Sequence, residues 1–167
     1  MTETETHPHT IFIPEKASVL ILGSFPGKDN ILVEGLDEWF YSAKRNQFWP
    51  ILRRVYEEAL LTTSEKKSLF IRKGIAIGDI YLRIKRKEKT NSDSSLEVVE
   101  YNDKAIRKAL IKHSFRNIFT TSQSVEKEFK KLFPGINHIQ SLPSPSPRYA
   151  RMSLEKKIAV YKHSLPA

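Results

Sequence analysis

Short apolar runs recur along this chain, each bounded by glycine, proline or polar residues. The clearest run is Val19–Leu22, four aliphatic residues that stop at Gly23. A run of this kind is typical of a strand buried on both faces, as in a parallel sheet. Three further runs predict strands in the same way: Ile75–Ile77, Asn117–Phe119 and His138–Gln140.

The segments between these runs carry apolar residues at helical spacing. The first such pattern extends from Phe48 to Leu60 and places its apolar residues on one face. Four later helices are predicted to begin after capping residues, namely Ser64, Asn102, Ser122 and Ser153. Strands that alternate with helices indicate an α/β fold, in which helices cover both faces of a mainly parallel sheet.

The chain is predicted to form a single domain over residues 1–167, because its length suits one core and no linker or repeat is visible. Residues 1–12 are polar and lack the order of a signal peptide. We therefore expect a flexible N-terminal arm in which His7 and His9 are solvated. The charged and Ser-rich segment from Lys85 to Ser95 is expected to be a surface loop.

The composition is that of a soluble globular protein, with 28% charged and 40% hydrophobic residues. No apolar run approaches the roughly 18 residues that a membrane span needs, so no membrane partner is expected. The absence of cysteine excludes disulfides, thiolate zinc sites and iron–sulfur clusters. We expect a monomer in the cytoplasm of a bacterial or archaeal cell.

The net charge of +9 is concentrated in the second part of the chain. Residues 104–167 hold 13 Lys and Arg against 3 Asp and Glu, whereas residues 1–103 hold 15 against 16. Concentrated basic charge indicates a polyanionic partner. Ordinary solvated helix faces are the alternative explanation.

The residues that follow the predicted strands are small, polar or rigid. Because the carboxyl ends of parallel strands meet at one edge of a sheet, these segments are expected to lie together, where ligands bind. Their spacing fits neither a P-loop nor a dinucleotide-binding motif nor a hydrolase nucleophile elbow. They are residues 23–27 (GSFPG), Gly78 with Asp79, residues 120–122 (TTS) and residues 141–147 (SLPSPSP).

Two further segments combine polar groups with unusual surroundings. Residues 40–50 crowd aromatic rings around Arg45 and Asn46 at the entrance to the first helix, and packing accounts for the rings better than for this polar pair. Residues 142–151 hold three prolines in a stiff loop whose hydroxyl and backbone N–H groups suit phosphate. A rigid connector is the other interpretation of that loop.

Together these motifs resemble the uracil-DNA glycosylase superfamily, and most closely its hypoxanthine-DNA glycosylase branch, whose pattern runs GSFPG, PRNxFW and LPSTSP. The resemblance covers about residues 18–160. It implies a three-layer α/β/α sandwich with a central four-stranded parallel sheet. It also implies DNA as the partner, no cofactor or metal, and hydrolysis of a base–sugar bond after the nucleotide has flipped out of the duplex.

The resemblance implies roles for individual residues. Asn46 would orient the attacking water, since Phe25 stands where much of the superfamily carries Asp or Asn. Ser24, Phe25, Phe48 and Asp79 would surround the base; Phe48 would stack on it, and Asp79 would read its edge or cap a helix. The DNA strand would contact the loop through a further set: Ser144, Ser146, Arg148, Tyr149 and Arg151.

The predicted activity is that of a monofunctional DNA glycosylase in base excision repair, which removes a deaminated base, either hypoxanthine or uracil. Leu142 stands where many relatives carry His or Asn, so that side chain does not stabilise the leaving group. A DNA-binding module that recognises lesions without cleavage is an alternative, favoured by Phe25. A small-molecule nucleotide enzyme is a third, disfavoured by the failed phosphate motifs.

Overall fold

The four predicted parallel strands form one sheet at the centre of the protein. The computed structural model describes residues 2–27, 38–87 and 93–167. Within these ranges the elements follow in this order: β1 (Thr4–Thr6), β2 (Val19–Gly23), α1 (Phe48–Tyr56), α2 (Thr63–Lys73), β3 (Ile75–Asp79), β4 (Tyr81–Arg86), β5 (Leu96–Tyr101), α3 (Asp103–Lys112), β6 (Asn117–Thr120), α4 (Gln123–Leu132), β7 (Ile139–Ser141) and α5 (Leu154–Ser164).

The central sheet has the strand order β3-β2-β6-β7, and each neighbouring pair is parallel. Val19 at the start of β2 pairs with Ile75 of β3 and Asn117 of β6. At the other end of β2, Gly23 lies directly opposite Asp79. The carboxyl ends of the four parallel strands therefore lie together at one edge of the sheet, as predicted.

Alternate side chains of β2 enter two separate cores. Val19 and Ile21 pack in a cluster with residues of α1, α2 and α5. Leu20 and Leu22 pack in a second cluster with residues of α3 and α4. Because helices cover both faces of the parallel sheet, the predicted three-layer α/β/α sandwich is confirmed.

A second sheet, with the order β1-β4-β5, is antiparallel and was not predicted. It packs on the α3 and α4 side through Ile84, which is fully buried. The loop expected from Lys85 to Ser95 is wrong for its first residues, since Lys85 and Arg86 complete β4. Residues 88–92 of that segment lie outside the described residues. The charged side chains of β4 obscure the alternation of polar and apolar residues by which a strand is recognised in a sequence.

The expected flexible arm over residues 1–12 is also corrected. Thr4–Thr6 form β1 and pair with β4, and Phe12 exchanges two backbone hydrogen bonds with Ile77 of β3. Pairing satisfies backbone groups at the open edges of both sheets, which is why so polar a segment is held in place. His7, expected to be solvated, is buried.

The helices begin and end close to the predicted positions, with two shifts. Helix α1 ends at Tyr56, before the predicted Leu60, because Glu57 adopts a left-handed conformation with φ of 55°. Helix α2 is capped by Thr62 instead of Ser64, in a reciprocal pair of hydrogen bonds with Glu65. No described helix has the length and apolar character needed to cross a bilayer.

Candidate functional site

The carboxyl ends of β2 and β3 bring a glycine and a carboxylate side by side. Gly23 lies opposite Asp79, and its carbonyl accepts a hydrogen bond from the N–H of Ile80 (2.8 Å). A Cβ atom at position 23 would overlap both the hydroxyl of Tyr41 and Oδ1 of Asp79. A side chain is therefore excluded at Gly23, and two polar oxygens approach the point where it would be.

Asp79 is held by two residues distant in the sequence. Nε2 of His7 is 2.6 Å from Oδ2 of the Asp79 carboxylate, and the side chain of Asn102 donates to the Asp79 carbonyl at 3.0 Å. Nδ1 of His7 in turn accepts a hydrogen bond from the backbone N–H of His9 (3.0 Å). Among the described residues the Asp79 carboxylate bonds His7 and caps no helix, and a role in reading a base stays a prediction.

The GSFPG segment is held against the second sheet. Phe25 is partly buried, and its ring contacts the His7 ring edge to face, with centroids 5.3 Å apart. The Arg86 guanidinium lies 5.7 Å from the centre of the Phe25 ring, donates to the Pro26 carbonyl (2.6 Å) and pairs with Glu5 of β1 (2.8 Å). The N-terminal strand and β4 thus fix the loop that follows β2.

Ser24 lies between Gly23 and Phe25, which are held by the contacts described above. Its carbonyl accepts a hydrogen bond from the N–H of Tyr81 (3.2 Å), and its side chain is half-buried. The structure therefore places Ser24, Phe25 and Asp79 at the same edge of the sheet, and their contact with a base stays a prediction.

Phe48 is placed differently from the prediction. Its side chain is completely buried, and Tyr41 stacks on it with ring centroids 4.2 Å apart and planes 20° apart. Trp49 and Tyr161 contact the same ring edge to face. A flipped base would have to displace Tyr41 to stack on Phe48, so this structure does not present Phe48 to a base.

Tyr41 is the aromatic residue nearer to the strand edge. It is partly buried, adopts a φ of 57°, and its hydroxyl lies 2.9 Å from the hydroxyl of Thr121, which follows β6. A tyrosine in the left-handed region is uncommon. The hydroxyl group is therefore placed above Gly23 by a strained backbone and a hydrogen bond to the neighbouring strand exit.

Asn46 lies at the N-terminus of α1, half-buried. Its Oδ1 accepts a hydrogen bond from the N–H of Phe48 (2.9 Å), which satisfies one of the free donors at the start of the helix. Within the described ranges, no protein acceptor is bonded to its Nδ2. The amide is thus held by the helix with its NH₂ group and a second oxygen lone pair unused.

The proline-rich loop is fastened to α1 and α5 by its backbone carbonyls. The Pro145 carbonyl accepts from the N–H of Gln47 (2.8 Å), and the Pro143 carbonyl accepts from the Tyr161 hydroxyl (2.7 Å). The N–H of Leu142 donates to Thr120 of the neighbouring strand (2.7 Å). Since Gln47 follows Asn46, these bonds place the loop beside the predicted water-orienting residue.

Lys157 of α5 forms a hydrogen bond with the same loop from its buried side. It is only 1% exposed, and its Nζ donates to the Gln47 side chain (2.8 Å) and the Ser146 carbonyl (3.2 Å). Burial lowers the pKa of Lys157 from its ordinary value. No carboxylate pairs with it among the described residues. A buried ammonium group thus bridges α1 and the loop.

The remaining predicted contacts lie on the outer part of this loop. Ser144 and Ser146 use their hydroxyls to accept backbone N–H groups two residues further on, at 3.2 and 3.3 Å. Arg148, Tyr149 and Arg151 are exposed, Tyr149 by 37%. The hydroxyls stiffen the turn, and the exposed side chains form its outer surface.

Residues 2–27, 38–87 and 93–167 contain no group of three His, Asp or Glu side chains that could hold a metal ion.

No protein family matches the sequence, and no curated protein matches it. A solution NMR structure from Methanosarcina acetivorans, described as a "putative Uracil DNA glycosylase", is similar over 96% of this chain and 98% of its own, with a TM-score of 0.70. This chain has the same fold. The two sequences are 23% identical, so the likeness concerns the fold, and function has to be argued from the site.

Sequence reasoning missed four residues that shape the site within this fold. His7 and Arg86 come from segments predicted to be an arm and a loop, whose polar sequences give no signal of burial. Tyr41 lies within the aromatic segment 40–50, and nothing in that sequence distinguishes it from its aromatic neighbours. Lys157 was one lysine among many on the last helix, and nothing in its sequence surroundings distinguishes it from an exposed one.

Proposed function

We propose that this protein is a DNA glycosylase that hydrolyses the N-glycosidic bond of a flipped deaminated base, hypoxanthine or uracil. The observation that carries the proposal is the carboxylate of Asp79 at the strand edge, where Oδ1 and the Tyr41 hydroxyl both lie over Gly23. Support also comes from the rigid loop beside Asn46 and from the fold shared with the Methanosarcina acetivorans protein.

The reaction needs few protein groups. The oxygen of a water molecule bonds to C1′ of the sugar, the C1′–N bond breaks with its electrons passing to the base, and the base takes up the proton that the water loses. Asn46 would hold that water, because its amide both donates and accepts and its hydrogen bond from the Phe48 N–H fixes its orientation.

The DNA strand would run over the outer surface of the proline-rich loop. Arg148 and Arg151 would contact phosphates, and Tyr149 would enter the space that the flipped nucleotide leaves. Lys157 adds a buried positive charge beneath this surface without being exposed itself. The excess of basic residues in 104–167 supports a polyanionic partner such as DNA.

A second candidate is a module that binds DNA lesions without cleaving them. It is favoured by the engagement of Asn46 Oδ1 with the Phe48 N–H at the start of α1 and by the apolar side chain of Phe25. In that case the same surface would bind a lesion, and no base would be released.

The decisive experiment is a panel of labelled duplexes carrying deoxyinosine, deoxyuridine, deoxyxanthosine or a thymine mispair, assayed for abasic sites and for binding. We expect abasic sites from deoxyinosine or deoxyuridine and none from the unmodified duplex. Selective binding without base release would support the second candidate. Neither binding nor release would overturn both.

A further inference from the structure

Residues 103–132 carry a concentration of basic charge on and between α3 and α4. This span holds eight Lys and Arg against three Asp and Glu. Lys130 and Lys131 form ion pairs with Glu126 and Glu128. The other six basic residues are exposed, and no carboxylate within the described ranges forms an ion pair with them. We call these six residues the basic face: Lys104, Arg107, Lys108, Lys112, Arg116 and Lys127.

The basic face lies away from the proline-rich loop. The loop is fastened to α1 and α5 on one face of the parallel sheet, whereas α3 and α4 pack on the other face. Helix α3 begins near the strand edge, where the side chain of Asn102 donates to the Asp79 carbonyl (3.0 Å). The segment after α3 reaches the opposite edge, where the N–H of Arg116 donates to the Ser18 carbonyl (2.7 Å). The basic residues therefore follow α3 away from the proposed DNA contacts.

Three lysines of the basic face form a row along α3. Lys104, Lys108 and Lys112 are four residues apart, which places successive members about 6 Å apart along the helix axis and on the same side of it. The guanidinium of Arg107 lies 5.0 Å from the centre of the Phe133 ring at the end of α4, so the row adjoins the second helix. Like charges at this spacing destabilise a helix. The row therefore weakens α3, and a bound polyanion would remove that repulsion.

We propose that the basic face is a second contact surface for duplex DNA, which holds a segment other than the one at the strand edge. The inference rests on the proposed function and adds how a second stretch of DNA is engaged. Contacts of lysine or arginine with phosphates release counterions and carry no sequence information, so undamaged DNA is a suitable partner. With one segment on each surface, the protein passes between segments without leaving DNA.

A single short duplex does not reach both surfaces. The proline-rich loop and the basic face lie on opposite faces of the sheet. DNA bends little over lengths far below its persistence length of about 150 bp. Two short duplexes must therefore occupy the two surfaces separately, which distinguishes a second surface from one extended surface.

The test is a bridging assay in which the protein joins two labelled duplexes of about 15 bp, far below the persistence length. One duplex contains deoxyinosine or deoxyuridine and a donor fluorophore, and the other is unmodified and carries an acceptor. We expect the wild type to produce energy transfer that falls steeply with salt. Excess protein should abolish the transfer, because each duplex is then bound to a separate molecule.

Substitution of the lysine row should separate bridging from base release. Lys104→Gln/Lys108→Gln/Lys112→Gln uses a residue that favours helices. Energy transfer should fall by at least about tenfold through loss of phosphate contacts, while base release from the short lesion duplex stays near wild type. The matched control removes three charges from exposed positions outside the basic face and should keep bridging: Lys87→Gln/Lys156→Gln/Lys162→Gln.

Thermal unfolding of each variant is recorded as a control. Arg116→Gln with Lys127→Gln gives an independent measurement if the triple variant fails to fold, and it should also lower energy transfer. An acidic protein is the other partner that a basic face fits, so labelled poly-glutamate replaces the acceptor duplex in a parallel assay. Association of poly-glutamate with the wild type, without bridging to the unmodified duplex, would overturn the inference in favour of an acidic partner.

The outcomes distinguish this inference from the proposed function. Energy transfer that persists in the folded triple variant overturns the inference, and so does a wild type that binds single duplexes without joining two. Equal losses in the triple variant and its control would assign the effect to net charge and overturn it as well. If the wild type binds no duplex, the proposed function falls and this inference with it.

Discussion

Tyr41 lies flat on Phe48, with ring centroids 4.2 Å apart, and its hydroxyl continues past that ring to Thr121. The stack joins the entrance of α1 to the carboxyl ends of β2 and β6. It makes Phe48 a core residue and leaves Tyr41 as the aromatic residue at the strand edge where the base is proposed to bind.

The first prediction follows from this stack. Phe48→Ala should destabilise the protein by about 3–5 kcal/mol, as expected for truncation of a buried aromatic side chain. Phe48→Leu should destabilise it less and keep base release per folded molecule, whereas Tyr41→Ala should lose release. Urea unfolding and single-turnover assays measure the two effects. Loss of release in a folded Phe48→Leu protein would instead restore Phe48 as the stacking residue.

Asn46 combines a hydrogen bond to the first N–H of α1 with the proposed water site, and substitutions can separate the two. Asn46→Ala should cost about 1 kcal/mol of stability through loss of that hydrogen bond and lower base release by about 10²–10⁴. Asn46→Ser keeps an acceptor for the Phe48 N–H, so its stability should be near wild type while release still falls. Asn46→Asp keeps both the acceptor and an oxygen that can hold water, and should retain more release. Full activity in Asn46→Ser would reduce the role of Asn46 to that hydrogen bond.

Lys157 is expected to act on DNA binding through the loop that it supports. Lys157→Met removes the bonds to Gln47 and Ser146 while keeping an unbranched side chain in the core. Duplex affinity, measured by fluorescence anisotropy, should weaken several-fold. The control is Lys156→Met, which removes the same charge from an exposed neighbour. Equal losses in the two variants would mean that only net charge matters.

Duplex binding should depend steeply on salt because the DNA contacts are proposed to be phosphates. Affinity should fall by at least about tenfold between 50 and 200 mM salt. Replacement of either Arg148 or Arg151 with serine should reduce the slope by about one, where the slope is that of the logarithm of the DNA association constant against the logarithm of salt concentration. A flat salt dependence would contradict a phosphate-binding loop.

His9 makes stability depend on pH. Burial is the main cause that lowers its pKa, His7 and Lys67 also lower it, and Asp79 and Glu38 oppose the shift. At pH values below about 6.5, the ordinary pKa of histidine, His9 binds a proton in the unfolded chain more readily than in the folded protein. The free energy of unfolding should therefore fall as pH is lowered through that region. His9→Gln should flatten this dependence in urea titrations between pH 7.5 and 5.5, and an unchanged pH dependence would exclude His9 as its source.

The sequence alone determined the central sheet and the helices that cover it. Uninterrupted apolar runs such as Val19–Leu22 report burial on both faces, and helical spacing of apolar residues reports one buried face. These are local signals, so they do not depend on which elements become neighbours. The positions of Gly23 and Asp79 at one edge followed from the same signals, because the ends of parallel strands meet there.

Only the tertiary structure decided what supports these residues. His7 and Asp79 are 72 positions apart, and Lys157 and Gln47 are 110 apart. Nothing in the polar sequence around His7 indicates that this segment pairs with the edge of β4. The pairing depends on β4, and the charged residues of β4 make that strand hard to recognise in the sequence. Phe48 and Tyr41 illustrate the same limit. Both are aromatic residues in one motif, and only their packing decides which one is covered and which one reaches the site.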